Sequence, residues 1–215
     1  MLKKYFTVKS HGTDEIIIQK SRFIGTVRRV ETEEAAQAFI QEMKKKYHDA
    51  THNCSAYLIG ENDQIQKAND DGEPSGTAGV PILEVLKKQG LKDTAVVVTR
   101  YFGGIKLGAG GLIRAYGSTT SQAIQTTGIV KRQLMQGFTV VVDYTLLGKL
   151  ENSLRNSSYV LKDIHYVDKV SFDVYVEAGT EQTFTDWLVD LTNDQLEIIK
   201  KDTAYMEIEV KSTSE

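Results

Sequence analysis

Apolar residues recur along this chain in two rhythms, and the switch between them is sharpest at residues 95–116. Ala95-Val96-Val97-Val98-Thr99 is an unbroken, β-branched run, which predicts a strand buried on both faces. Five glycines then fall within nine residues, from Gly103 to Gly111. Beyond them Leu112, Ala115, Tyr116, Thr119, Ala123 and Ile124 recur at helical spacing, with Arg114, Ser118, Ser121 and Gln125 on the other side. The stretch therefore predicts a strand, a glycine loop and a helix that ends at Gly128.

The same rhythms place the other elements of the front half. Tyr5–Val8, Glu15–Gln19 and Phe23–Val27 read as strands, and His11–Asp14 as a turn. Thr32 is a candidate N-cap for a helix whose stripe is Ala35, Ala36, Phe39, Ile40 and Met43, and which ends in Lys44-Lys45-Lys46. Cys54–Ile59 and Gln64–Ala68 read as a hairpin. Val80–Gln89 reads as a helix with Pro81 in its first turn and Thr77 as candidate cap. Ile129–Met135 reads as a strand or connector.

The back half alternates more simply: strand Phe138–Asp143, helix Leu146–Asn156, strands Tyr159–Tyr166 and Val170–Val176, helix Glu181–Leu191, and a last strand over Leu196–Val210. That β-α-β-β-α-β order is the ferredoxin-like split unit. Phe184 and Trp187 read as its core, and the tail Lys211–Glu215 as frayed. A boundary near Gln136-Gly137 divides the α+β chain into domains 1–135 and 136–211.

Charge supports that division. Residues 1–135 carry 19 basic and 14 acidic residues, a balance of +5; residues 136–215 carry 7 and 15, a balance of −8. A basic front half suits a polyanion, and an acidic back half suits a separate protein partner. No run approaches the ~20 apolar residues needed to span a bilayer, and Met1-Leu2-Lys3-Lys4 opens no secretory pattern. A single cysteine, Cys54, excludes an internal disulfide and suits a reducing compartment, so a cytoplasmic location is expected.

Candidate chemistry gathers at the glycine loop. Gly108, Gly110 and Gly111 offer backbone N–H groups at a helix start, which favours an anion. Arg100, Lys106 and Arg114 surround it, with Arg114 read into the first helical turn. Two explanations compete: a phosphate site, or glycines for close packing with arginines paired to nearby carboxylates. Lys20 and Arg22 form a basic tip between two strands. His48, Asp49, His52 and Cys54 invite a zinc or thiol-nucleophile reading, but no second cluster completes it, and hydrogen-bonding histidines in a cleft fit better. Asp70, Asp71 and Glu73 make a dense acidic loop, a partner for Arg100 or Arg114 or a holder of Mg²⁺ beside a phosphate. Tyr101, Phe102 and Tyr116 read as core residues, able to stack on a base only where exposed.

Four stretches resemble the YigZ/IMPACT family: Lys20–Ile24, Ala50–Tyr57, Asp70–Gly79, and Val97–Gly108 continuing through Gly111–Tyr116. The resemblance covers about residues 20–125. It implies an Impact-type first domain with the fold of the second domain of a small-subunit ribosomal protein, shared with domain IV of elongation factor G. It implies a ferredoxin-like second domain similar to domain V of that factor. Family members are associated with nucleic-acid or ribosome binding, and eukaryotic relatives regulate translation through the amino-acid-starvation kinase pathway.

The combined expectation is a two-domain protein that binds RNA or the ribosome and affects translation. Its contact surface is expected at Lys20, Arg22, His52, Asn53, Arg100, Lys106 and Arg114, with the backbone of Gly108, Gly110 and Gly111. No metal, cofactor or catalytic residue is expected. Two alternatives stand beside it: an enzyme acting on a phosphorylated small molecule with Mg²⁺, and a protein-interaction module using the acidic second domain.

Overall fold

The structure is a computed structural model and describes residues 1–209. Val210 and the tail 211–215 lie outside the described residues. The chain divides into two compact units, one formed by 5–131 with the described residues from 208 on, the other by 1–4 with 132–207.

The larger unit is a five-stranded sheet. Its strands are β2 (His11–Ile18), β3 (Ser21–Arg29), β4 (His52–Ile59), β5 (Ile65–Asn69) and β6 (Thr94–Tyr101), in the order β2-β3-β6-β4-β5 and antiparallel throughout; β1 (Lys4–Val8) precedes them. The central strand β6 is apolar on both sides because helices cover both faces. Val96 and Val98 pack with Ile82, Leu86, Ala115 and Tyr116 from α2 (Gly79–Lys88) and α3 (Gly108–Thr127). Ala95 and Val97 pack with Ala36, Phe39 and Met43 from α1 (Glu33–Lys46). Two-sided burial, which β-branched runs signal most often in parallel sheets, is met here by an antiparallel one.

Local chemistry fixes the ends of these elements. Thr32 caps α1, its Oγ1 accepting from Ala35 N–H at 3.2 Å. The β2–β3 hairpin turns through Gln19 and Lys20, both at positive φ (45° and 65°), as a two-residue turn matched to strand twist requires. Three readings need correction. His11–Asp14 is not a turn but the start of β2, where Gly12 sits close against Thr127. Thr77 does not cap α2; its hydroxyl donates to the Pro74 carbonyl, and Ala78 holds the cap position. Arg114 lies in the second turn of α3, since the helix begins at Gly108.

The smaller unit holds most of β7 (Ile129–Val142), then α4 (Leu147–Arg155), β8 (Val160–Tyr166), β9 (Val170–Glu177), α5 (Glu181–Thr192) and most of β10 (Glu197–Glu209), the β-α-β-β-α-β order. Its sheet has five strands, with the path β1-β7-β9-β8 and β10 also paired to β7. Ile129–Met135 and Phe138–Asp143 merge into the single strand β7, which passes through Gln136-Gly137 without a break. Here burial alternates strictly: Val170, Phe172, Val174 and Val176 join Phe138, Leu150, Leu154, Phe184 and Leu188 in the core, while Ser171, Asp173 and Tyr175 lie on the other face. Residues 1–4 belong to this unit, with Leu134 N–H donating to the Lys3 carbonyl. No helix among the described residues is long and apolar enough to cross a membrane.

Candidate nucleic-acid interface

Strand register builds the site. Arg100, near the end of β6, faces Phe23 on β3 and His52 on β4, so these three side chains form one row across the sheet. The row continues Val96 and Val98 on the α2/α3 face, at the edge where the 102–107 loop leads into α3. Arg100 is only 5 % exposed, its guanidinium carbon 5.4 Å from the ring centroids of both Phe23 and Phe102. Nη1 donates to Glu73 Oε1 at 2.7 Å and Nη2 to Ser21 Oγ at 3.3 Å, while Nε, buried, has no hydrogen-bond partner. Ser21 Oγ also accepts from Gly103 N–H, and Thr51 Oγ1 from Phe102 N–H, which pins the loop to the strands.

The acidic loop is folded inward. Asp70 accepts from the N–H groups of Gly76, Ala78 and Gly79, closing the start of α2. Burial pushes the Asp70 carboxyl up, but the three donors outweigh it and its pKa falls below the ordinary value. Burial acts the same way on Asp71, and there Lys44 and the Asn53 N–H bring the pKa below the ordinary value. Beneath them Tyr116 OH donates to Glu73 Oε1 at 2.8 Å. Cys54 Sγ lies 3.0 Å from the Asp70 carbonyl oxygen and 3.3 Å from the Tyr116 hydroxyl. Burial pushes the Cys54 thiol up to about 12, with the nearby carboxylates adding to it, so it is a poor nucleophile and a poor zinc ligand. Among the described residues no three His, Cys, Asp or Glu side chains cluster as metal ligands.

Above this network lies a cleft of about 450 Å³. One wall is Thr51, His52, Glu73 and Pro74; the other is Lys106, Leu107, Gly108 and Ala109, with Arg100, Phe102 and Leu112 between. The α3 N-terminus opens on it with no side-chain cap and no acidic residue in the first turn. Its first N–H groups lack intrahelical partners by construction. His52 Nδ1 is 2.8 Å from the Asp71 carbonyl oxygen, which can only accept, so Nδ1 carries the proton. In the neutral ring Nε2 is then a bare acceptor, 3.8 Å from Glu73 Oε2.

The cleft thus brings together His52, Arg100, Lys106 and Gly108 with Glu73 from the acidic loop. Asn53 is buried beside it, its amide donating to the Tyr47 carbonyl and accepting from Thr99. Gly110, Gly111 and Arg114 follow along α3 outside the lining. Arg22 pairs with Glu15 at 2.7 Å and lies over the Tyr101 ring. Lys20, Lys106 and Arg114 are exposed and carry no ion pair among the described residues. Phe102 corrects its expected burial: it is 47 % exposed, whereas Tyr116 is fully buried. Ser21 and Thr51 escaped notice in the sequence because a lone serine or threonine carries no local signal; only the pairing of β3 and β4 with β6 brings them to the loop.

Residues 19–124 match the Impact N-terminal domain, and residues 140–195 match a domain of unknown function, DUF1949. The chain is 58% identical over 215 residues to IMPACT family member YvyE of Bacillus subtilis, covering 100% of this chain and 99% of that protein. It is 38% identical over 151 residues to IMPACT family member YigZ of Escherichia coli, covering 66% and 74%. A solved structure titled as that of a hypothetical protein aligns with a TM-score of 0.60 and 30% identity, over 94% of this chain and 99% of that one. Protein IMPACT of Mus musculus is 35% identical over 104 residues, only 32% of its length. With a match of this identity running the full length of both chains, this chain belongs to the IMPACT family.

Proposed function

We propose that this protein binds RNA or the ribosome in the cytoplasm and affects translation, with the cleft at the start of α3 receiving a backbone phosphate. The observation that carries the reading is the uncapped α3 N-terminus facing a cleft edged by Lys106, with an unpartnered Nε on buried Arg100 behind it. Lys20 and Arg114 extend the positive surface for phosphates on either side, and exposed Phe102 offers a stacking face. The pairing of β7 with β9 and β10, and of β9 with β8, supports reading the second domain, 136–211, as ferredoxin-like. We read the first, 1–135, as the fold of elongation factor G domain IV.

The test is binding of RNA and of ribosomes across a salt series, for wild type and a Lys106→Ala/Arg114→Ala double variant. Removing one phosphate-neutralising cation flattens the log–log salt slope by roughly 0.7–0.9. A slope reduced by about 1–2 in a folded variant supports the proposal. Absence of binding at low salt, or binding indifferent to salt, overturns it.

A second reading is favoured by the cleft's size and by the His52–Glu73 pair: an enzyme acting on a phosphorylated small molecule. Asp70 and Asp71, the carboxylates such an enzyme would turn to Mg²⁺, are here hydrogen-bonded by the chain's own groups. Calorimetry with nucleotides and Mg²⁺ separates the two; heat released with a nucleotide in a protein that ignores RNA selects the enzyme.

A further inference from the structure

The two walls of the cleft ask for opposite things. The α3 wall offers only donors, the free N–H groups of the first turn and the Lys106 ammonium. The facing wall offers acceptors. Glu73, 8 % exposed, uses Oε1 for Arg100 and Tyr116 and leaves Oε2 without a hydrogen bond. In the neutral ring His52 Nε2 is an acceptor, and it lies 3.8 Å from that oxygen. A phosphate satisfies the first wall and is repelled by the second. A ligand that fills both must carry a neutral donor immediately beside its anion.

Resting on the reading of the cleft as a backbone-phosphate site, we propose that His52 Nε2 and Glu73 Oε2 form a subsite for the ribose 2′-hydroxyl, so that the protein selects RNA over DNA. The 2′-hydroxyl is both adjacent to the 3′-phosphate and a hydrogen-bond donor. The hydroxyl gives its one hydrogen to this pair of acceptors; in DNA that donor is missing, and the acceptor it would meet stays unpaired when the phosphate closes over it. Glu73 is fixed by Arg100 and Tyr116, so His52 is the member of the pair that can be changed without opening the buried network. It is a specificity-determining residue here, with no bond made or broken at it.

The experiment is fluorescence anisotropy with single-stranded oligouridine, oligodeoxyuridine and 2′-O-methyl oligouridine of equal length, at low salt and fixed pH. It compares wild type, His52→Ala and His52→Gln, each checked for folding by circular dichroism. Wild type binds the RNA roughly tenfold more tightly than either analogue, the worth of one well-placed hydrogen bond. His52→Ala, which leaves Glu73 Oε2 as the one acceptor, narrows the difference between RNA and its analogues several-fold, and His52→Gln, which keeps an acceptor, restores part of it. Equal binding of RNA and DNA by wild type overturns the subsite and leaves the phosphate site standing. A preference that survives undiminished in His52→Ala overturns it as well. Failure of all three to bind overturns the phosphate reading itself and the subsite with it.

Discussion

Arg100 Nη1 donates to Glu73 Oε1 across 2.7 Å, and the two side chains are 6 % and 3 % exposed. A cation this deeply paired is a structural member of the cleft, with only its Nε left without a partner. Removing either partner leaves the other charge buried. Arg100→Met or Glu73→Leu alone is therefore expected to cost about 3–5 kcal/mol, while the double variant costs less than the sum of the two. Urea unfolding of the four proteins of the cycle measures the coupling; additive losses would show that the pair is not one unit.

Asp70 gives a prediction with a pH sign. Its three backbone donors close the start of α2, and Asp70→Ala is expected to lose roughly 2 kcal/mol at neutral pH. The folded-state pKa lies below the ordinary value of 3.8. The stabilisation is therefore complete above the unfolded value and fades as pH falls through the folded one. Urea midpoints of wild type and Asp70→Ala should differ most near neutrality and converge below pH 3.8; a gap that widens in acid contradicts the assignment.

Cys54 is expected to be inert in the folded protein. The thiol is fully buried beside Tyr116, and burial raises it to about 12, so almost no thiolate exists at pH 8. A chromogenic disulfide reagent should modify it only at the rate of unfolding, and urea should make that reaction fast. Rapid modification in buffer would revive a nucleophilic role.

The elements that could be read from the sequence are those whose signal is local. The β6 run and the alternation of β9 reported their burial directly, since helices cover both faces of one strand and one face of the other. Thr32 as cap of α1 is equally local. What escaped was set by partners distant in the chain. Arg100 read either as a loop cation or as a partner of the acidic loop, and only the position of Glu73, 27 residues away, decides for the second. Phe102 read as core because it follows a buried strand, yet the loop leaves the sheet one residue earlier. Asn53 read as a surface ligand, and its amide is held by Tyr47 and Thr99.

The glycines of the central loop are expected to divide by substitution. A Cβ on Gly103 would stand 2.0 Å from the Lys20 carbonyl carbon and oxygen and 2.5 Å from Ser21 N, all backbone atoms that cannot step aside. Gly103→Ala must therefore push the β2–β3 turn away from the loop and break the Gly103 N–H bond to Ser21 Oγ, at a cost of about 3 kcal/mol or more. Gly110 is the third residue of α3, and a Cβ there meets nothing within 4 Å. Gly110→Ala should stabilise by about 0.5–1 kcal/mol through helix propensity. Because Gly110 does not line the cleft, RNA affinity in that variant should be unchanged. Thermal unfolding and anisotropy on the two variants separate the possibilities. A stable Gly110→Ala with weakened RNA binding would move the phosphate from the cleft onto the exposed first turn of α3. A well-folded Gly103→Ala would show that the Lys20-Ser21 turn is not what holds the loop in place.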